Sequence, residues 1–236
     1  MVTRKISREK YIIAFVITAL IFSSGLFLGL ILTKERISQS EKTNNIQQQS
    51  YDSIQLQYLI LKNLEKEDNC PAAIKTLESN IFELDNSRLK LESYIEKSLN
   101  ENSQDFILLK RGYVLSEVRY WLLVKEAEKI CKNNFVSILY FYSNKDCPDC
   151  GSQGMILTYI KDKFGEKVLI FALDSDFKEN EPLIGVLEQT YNVTQTPALI
   201  IDGEKFQGMT QKEIILSKIC PKYKEDIEVC KQYSQQ

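Results

Sequence analysis

The sequence predicts an α/β domain that follows a helical hairpin and an N-terminal transmembrane helix. Three observations carry this. From Phe135 onward, short β-branched and aromatic runs alternate with segments of helical period. Between residues 71 and 131, two long stretches keep apolar residues at three- and four-residue spacing. Residues 11–33 run for 23 positions without a charge.

The most informative stretch is Phe135 to Gly165. Val136 to Tyr142 reads as a buried strand, Ser143 to Asp146 as a polar turn, and Cys147-Pro148-Asp149-Cys150 follows. Met155, Ile156, Tyr159, Ile160 and Phe164 then fall at helical spacing, and Gly165 ends the helix. A C-x-x-C at a strand-to-helix junction places Cys147 at a helix N-terminus, where unpaired N–H groups and the helix dipole favour a thiolate. Cys150, one turn later, can close a disulfide with it, and Pro148 suits a first turn that has no use for its N–H. Two thiols so placed suit thiol–disulfide exchange. The same motif is compatible with half a zinc site or with a tight structural disulfide. Zinc needs two more ligands, yet the chain has no histidine and its other cysteines, Cys70, Cys131, Cys220 and Cys230, form no second C-x-x-C.

Downstream, Lys167 to Leu173 reads as a second buried strand and Glu181 to Tyr191 as a helix with Pro182 in its first turn. Tyr191 to Gly203, YNVTQTPALIIDG, then leads through an Asp-Gly turn to a return strand over Lys205 to Gly208. A last helix covers Thr210 to Cys220. With CPDC after a buried strand, the YNVTQTPALII segment and Gly208 before the last helix, residues 135–220 resemble the thioredoxin superfamily. The resemblance implies a thioredoxin-like α/β domain, a central mixed sheet flanked by helices. It also implies that Pro197 is cis and lies beside the cysteine pair. The backbone of Thr196 would pair with a substrate strand, so Thr196 and Pro197 are the substrate-binding candidates and Cys147 and Cys150 the catalytic ones.

The chain departs from that family at several positions. Asp146 precedes the first cysteine where thioredoxins usually carry tryptophan, and Phe141 stands where they place a buried carboxylate. Asp149 is then the candidate proton acceptor for Cys150. Asp146 and Asp149 flank the cysteines, and nearby negative charge disfavours a thiolate. Reductase or isomerase behaviour is therefore expected ahead of strong oxidase behaviour.

Taken in order, residues 1–10 form a basic N-terminal segment with Arg4, Lys5, Arg8 and Lys10 against Glu9. Residues 11–33 give about 34 Å of helix at 1.5 Å per residue, enough for a hydrocarbon core of about 30 Å. No small-residue cleavage site follows, so the reading is an uncleaved signal-anchor. Lys/Arg packed before the span, and six cysteines suited to an oxidising compartment, predict a single-pass cell-membrane protein. Its N-terminus would be cytoplasmic and its bulk exoplasmic, extracellular or periplasmic. Residues 34–69 read as a linker and helix, with a polar, glutamine-rich stretch over 38–53.

In residues 70–131, Ile74, Leu77, Ile81, Leu84, Leu91 and Ile95 form an a/d seam interrupted by Arg88. Phe106, Leu109, Tyr113, Tyr120, Trp121, Val124 and Ala127 mark a second helix beyond the polar connection Leu99 to Ser103. An antiparallel hairpin brings Cys70 and Cys131 together at its open end; the alternative is two free buried thiols. Geometry pairs the rest as Cys147–Cys150 and Cys220–Cys230, the latter closing the last helix onto a tail over 221–236.

A chain of 236 residues with net charge −2 gives no reason to expect nucleic acid as a partner. Lacking histidine, it also lacks the usual general base and the commonest metal ligand. The expected function is thiol–disulfide exchange on protein thiols or disulfides, without a metal or organic cofactor but with a partner that recharges the pair. The alternative is a non-catalytic interaction protein with a static C-x-x-C disulfide and a coiled-coil region, and that region also leaves oligomerisation open.

Overall fold

The computed structural model describes residues 13, 15–27, 53–63, 69–97, 103–131, 135–223 and 227–231. Two compact units divide the chain, Met1–Gln55 and Leu56–Gln236.

In the first unit residues 15–27 are helical, with Phe15, Leu20, Phe22 and Phe27 exposed. This corrects the predicted architecture. Among the described residues no helix is long and apolar enough to cross a membrane. The transmembrane anchor over 11–33 is therefore not supported. With it go the single-pass placement, the cytoplasmic N-terminus and the exoplasmic bulk. The segment 1–10, the linker 34–52 and most of the connection between the hairpin helices lie outside the described residues.

The second unit holds the hairpin and the sheet. Helix α1 is Cys70–Lys97 and α2 is Gln104–Ile130. Ser103 caps α2 from an extended conformation, its hydroxyl accepting from the Phe106 N–H at 3.2 Å. The same hydroxyl lies 2.6 Å from Tyr94 Oη of α1, which ties the two helices at the closed end. At the open end Cys70 and Cys131 are disulfide-bonded. Midway, Ser87 and Ser116 hydroxyls meet at 3.1 Å.

The predicted seam of α1 is only partly covered. Leu77 is buried, whereas Ile74 and Ile95 at its two ends are exposed. A straight helix drifts by about 20° per heptad against a seven-residue repeat, so the ends of a long seam rotate out. Helix α2 is buried more broadly than its apolar spacing predicts, with Val114, Glu117, Val118, Leu123, Glu126 and Ile130 also inside. It touches α1 on one side and β1 and β2 on the other.

The sheet has four strands in the order β2-β1-β3-β4. Strand β1 is Val136–Tyr142 and β2 is Val168–Asp174, paired parallel with Val136 opposite Val168. Strand β3, Ala198–Ile201, pairs antiparallel with β1, and β4, Glu204–Gln207, antiparallel with β3. The β3–β4 turn puts Asp202 and Gly203 at φ 54° and 81°, the left-handed pair that a tight hairpin needs. Helix α3 is Cys150–Phe164, α4 is Pro182–Thr190 and α5 is Lys212–Ile219.

Alternation along the strands sends Val136, Ile138, Tyr140, Leu199 and Ile201 into one core with Leu157, Ile160 and Phe164 of α3 and Ile215, Leu216 and Ile219 of α5. Leu139, Phe141 and Ile200 take the opposite face, and Tyr120 of α2 meets Phe171 of β2 at 6.1 Å between ring centroids. The Cys220–Cys230 disulfide belongs to the first core.

The amphipathic face of α3 is rotated from its predicted position. Cys150, Gln153, Leu157, Ile160 and Phe164 are buried, whereas Met155 and Tyr159 are exposed. The buried stripe contains a polar residue, Gln153, whose carbonyl accepts from the Thr210 N–H at 2.7 Å. An apolar periodicity cannot see such a position.

Candidate functional site

Strand β1 delivers the chain to the top of the sheet and the turn 143–146 carries it to Cys147. Cys147 and Cys150 are joined by a disulfide. Regular helix begins at Cys150, with Asp149 as N-cap, so Cys147 lies just ahead of the helix rather than in its first turn. The turn is closed by the Cys150 N–H donating to Cys147 O at 3.3 Å and the Gln153 N–H to Asp149 O at 2.9 Å. Cys147 is partly exposed, Cys150 is buried, and Asp146, Pro148 and Asp149 face solvent. All six cysteines are paired in disulfides.

Pairing across the sheet puts Pro197 at the same end. Phe141 lies opposite Ala198, so the residue before β3 sits level with the end of β1. The Thr196–Pro197 peptide is cis, and Pro197 O accepts from the Gly208 N–H at 2.8 Å. Gly208 has φ 80°, a left-handed conformation that glycine adopts without strain. A cleft of about 410 Å³ opens at the turn ahead of the pair, lined by Ser143, Lys145 and Asp146, by Ser175, Asp176 and Glu179 after β2, and by Thr194, Gln195 and Thr196. Asp146, the neighbour of Cys147, and Thr196, the neighbour of Pro197, thus border one space, while Cys147, Cys150 and Pro197 themselves do not line it.

Phe141, six residues before Cys147, is fully buried. Asp149, the candidate proton acceptor, makes no capping hydrogen bond and points to solvent. Sequence reasoning missed the groups that do surround Cys150. Tyr140 Oη donates to Cys150 O at 2.6 Å, and burial pushes that phenol up to about 12. The Ser143 N–H donates to Cys150 Sγ at 3.5 Å. Asp176 accepts from the Ser143 hydroxyl and from the N–H groups of Asn144 and Lys145. The available signal was the Asp174-Ser175-Asp176 run at a strand end, where short acidic side chains cap exposed amides.

No family model and no curated protein matches the chain. Among solved structures, one titled "Structure of a malarial protein" aligns at TM-score 0.32 and 19% identity, covering 38% of this chain and 98% of that one. A likeness at that level carries no argument about fold or function.

Proposed function

We propose that this chain is a thiol–disulfide oxidoreductase of the thioredoxin superfamily that acts on protein thiols or disulfides through Cys147 and Cys150. The observation that carries the reading is a partly exposed Cys147 bonded to a buried Cys150 at a strand-to-helix junction, next to an open cleft that Asp146 and Thr196 line. A static disulfide has no need of a partly exposed cysteine at such a junction.

In the reducing direction, the Cys147 thiolate attacks one sulfur of a substrate disulfide. An S–S bond forms between Cys147 and the substrate, and the other substrate sulfur leaves as a thiolate. The Cys150 thiolate then attacks Cys147 Sγ, forming the Cys147–Cys150 bond and releasing the second substrate thiolate. Two electrons pass from the pair to the substrate, and a dithiol partner restores them by the reverse sequence. Thr196, just ahead of the first paired residue of β3, offers its backbone to an extended substrate segment lying in the cleft. The chemistry needs no metal or organic cofactor.

The test is equilibration of the Cys147–Cys150 pair with glutathione, together with insulin reduction in dithiothreitol. Wild type should exchange over the glutathione range, and Cys147→Ser should fall to background while keeping its near-UV circular dichroism. A disulfide that resists glutathione altogether, or undiminished activity in Cys147→Ser, rules the reading out.

A further inference from the structure

The turn ahead of the cysteines is built by two side chains outside both the C-x-x-C and the proline loop. Ser143 is the first residue after β1. Its hydroxyl donates to both Asp176 carboxylate oxygens, at 3.0 and 3.1 Å. It accepts from the N–H groups of Lys145 and Asp146, each at 3.1 Å. Asp176 in turn accepts from the N–H groups of Asn144 at 2.9 Å and Lys145 at 3.2 Å. Every amide from 144 to 146 therefore points at one of these two side chains. The remaining amide of the turn, that of Ser143, points at Cys150 Sγ from 3.5 Å in the buried interior.

Asp176 is itself held in place. Its N–H donates to Asp174 Oδ1 at 3.0 Å. Asp174 Oδ2 takes the Lys110 ammonium at 2.5 Å and the Asn144 side-chain amide at 3.2 Å. The turn is thus anchored to the end of β2 and, through Lys110, to the hairpin.

Building on the thiol–disulfide reading, we propose that Ser143 and Asp176 are positioning residues that hold the Ser143 amide on the Cys150 sulfur and so favour the dithiol over the disulfide. A disulfide sulfur is a weak, neutral acceptor. A thiolate in the same place makes a charge-assisted hydrogen bond, roughly twice as strong as a neutral one. The contact therefore strengthens when the reduced Cys150 gives up its proton, the form that resolves the mixed disulfide, and each such thiolate drawn onto the amide pulls the equilibrium toward the reduced pair. Holding it in place makes the pair more oxidising than the same cysteines on a loose turn.

The experiment measures the glutathione equilibrium constant of the full chain as wild type, Ser143→Ala and Ser143→Thr. Ser143→Ala removes the hydroxyl that links turn and carboxylate without changing any charge. Its dithiol should be disfavoured about five- to tenfold, and tenfold corresponds to a potential about 30 mV more negative. Ser143→Thr keeps a hydroxyl and should stay at the wild-type value. A role confined to stability would lower the denaturation midpoint of Ser143→Ala and leave its potential where it was. An unshifted potential in Ser143→Ala, or an equal shift in Ser143→Thr, overturns the assignment. A wild-type pair that does not equilibrate with glutathione is a different failure, that of the thiol–disulfide reading.

Discussion

At the residue scale, the least expected group is a carboxyl buried inside the hairpin–sheet contact. Among the described residues strand β2 is an edge of the sheet, with no strand beyond it to meet its outward N–H groups. Glu117 of α2 supplies an acceptor for one of them, the Ala172 N–H, at 2.6 Å. Tyr113 also hydrogen-bonds this carboxyl, while its second oxygen, Oε2, is buried without a partner in the structure. Burial pushes the group up to about 8, against the opposing pull of these hydrogen bonds. In the unfolded chain a glutamate titrates near 4.3. Between those values the folded chain keeps a proton that the unfolded chain has released, so folding stability falls as pH rises through that window. Glu117→Gln mimics the protonated group and should remove this part of the decline. Urea midpoints at pH 5 and pH 8.5 should drop for wild type and drop clearly less for the variant. Equal drops would mean that Glu117 is ionised in the folded chain.

At the scale of elements, the hairpin and the α/β region meet through charges as well as through apolar faces. Lys110 of α2 pairs with the nearly buried Asp174 at the end of β2, and Arg111 pairs with the buried Glu181 that caps α4. Removing one partner of a buried pair leaves the other charge uncompensated, at a cost of about 3–5 kcal/mol. Lys110→Met keeps the length of the side chain and should lose roughly that much by chemical denaturation, whereas Lys75→Met, in an exposed pair with Glu78, should lose under about 1 kcal/mol. Similar losses in both variants would show that Asp174 is not held by Lys110. Such contacts mark the limit of what a sequence displays. The paired helices are legible because each repeats a period over many residues, strands β1 to β3 because each is a short apolar run, and β4 because an Asp-Gly turn precedes it, while the spacing of Cys70 and Cys131 about the connection exposes the hairpin. Lys110 and Asp174 lie 64 positions apart and repeat nothing. Ser143 and Asp176 are equally silent, since one serine in a turn looks like any other until the fold brings a carboxylate to it. Gln153 goes further and breaks the apolar pattern of the face it occupies. The uncharged run over 11–33 shows the opposite error, a strong local pattern that predicts a span where no helix among the described residues is long and apolar enough to cross a membrane.

For the molecule as a whole, three disulfides of unlike surroundings predict an order of reduction. Cys220 and Cys230 are both buried in the core between sheet and helices. Cys131 is buried at the open end of the hairpin and its partner Cys70 is partly exposed. Cys147 is partly exposed next to Asp146, which lines the open cleft, and it lies just ahead of a helix whose first N–H groups can stabilise a departing thiolate. Reductant access and leaving-group stability therefore both select this bond. Limiting dithiothreitol with rapid alkylation should label Cys147 and Cys150 first, Cys70 and Cys131 later, and Cys220 and Cys230 last. The structural consequences should differ as sharply as the rates. Residues 147 and 150 are three positions apart, so opening that bond frees little chain entropy and should leave the circular dichroism and proteolytic pattern intact. Residues 70 and 131 are 61 apart, and opening that loop should lower stability by about 2–4 kcal/mol. Labelling of Cys220 or Cys230 ahead of Cys147, or loss of the fold on the first reduction, would mean that the Cys147–Cys150 bond is a structural tie and not an exchangeable one.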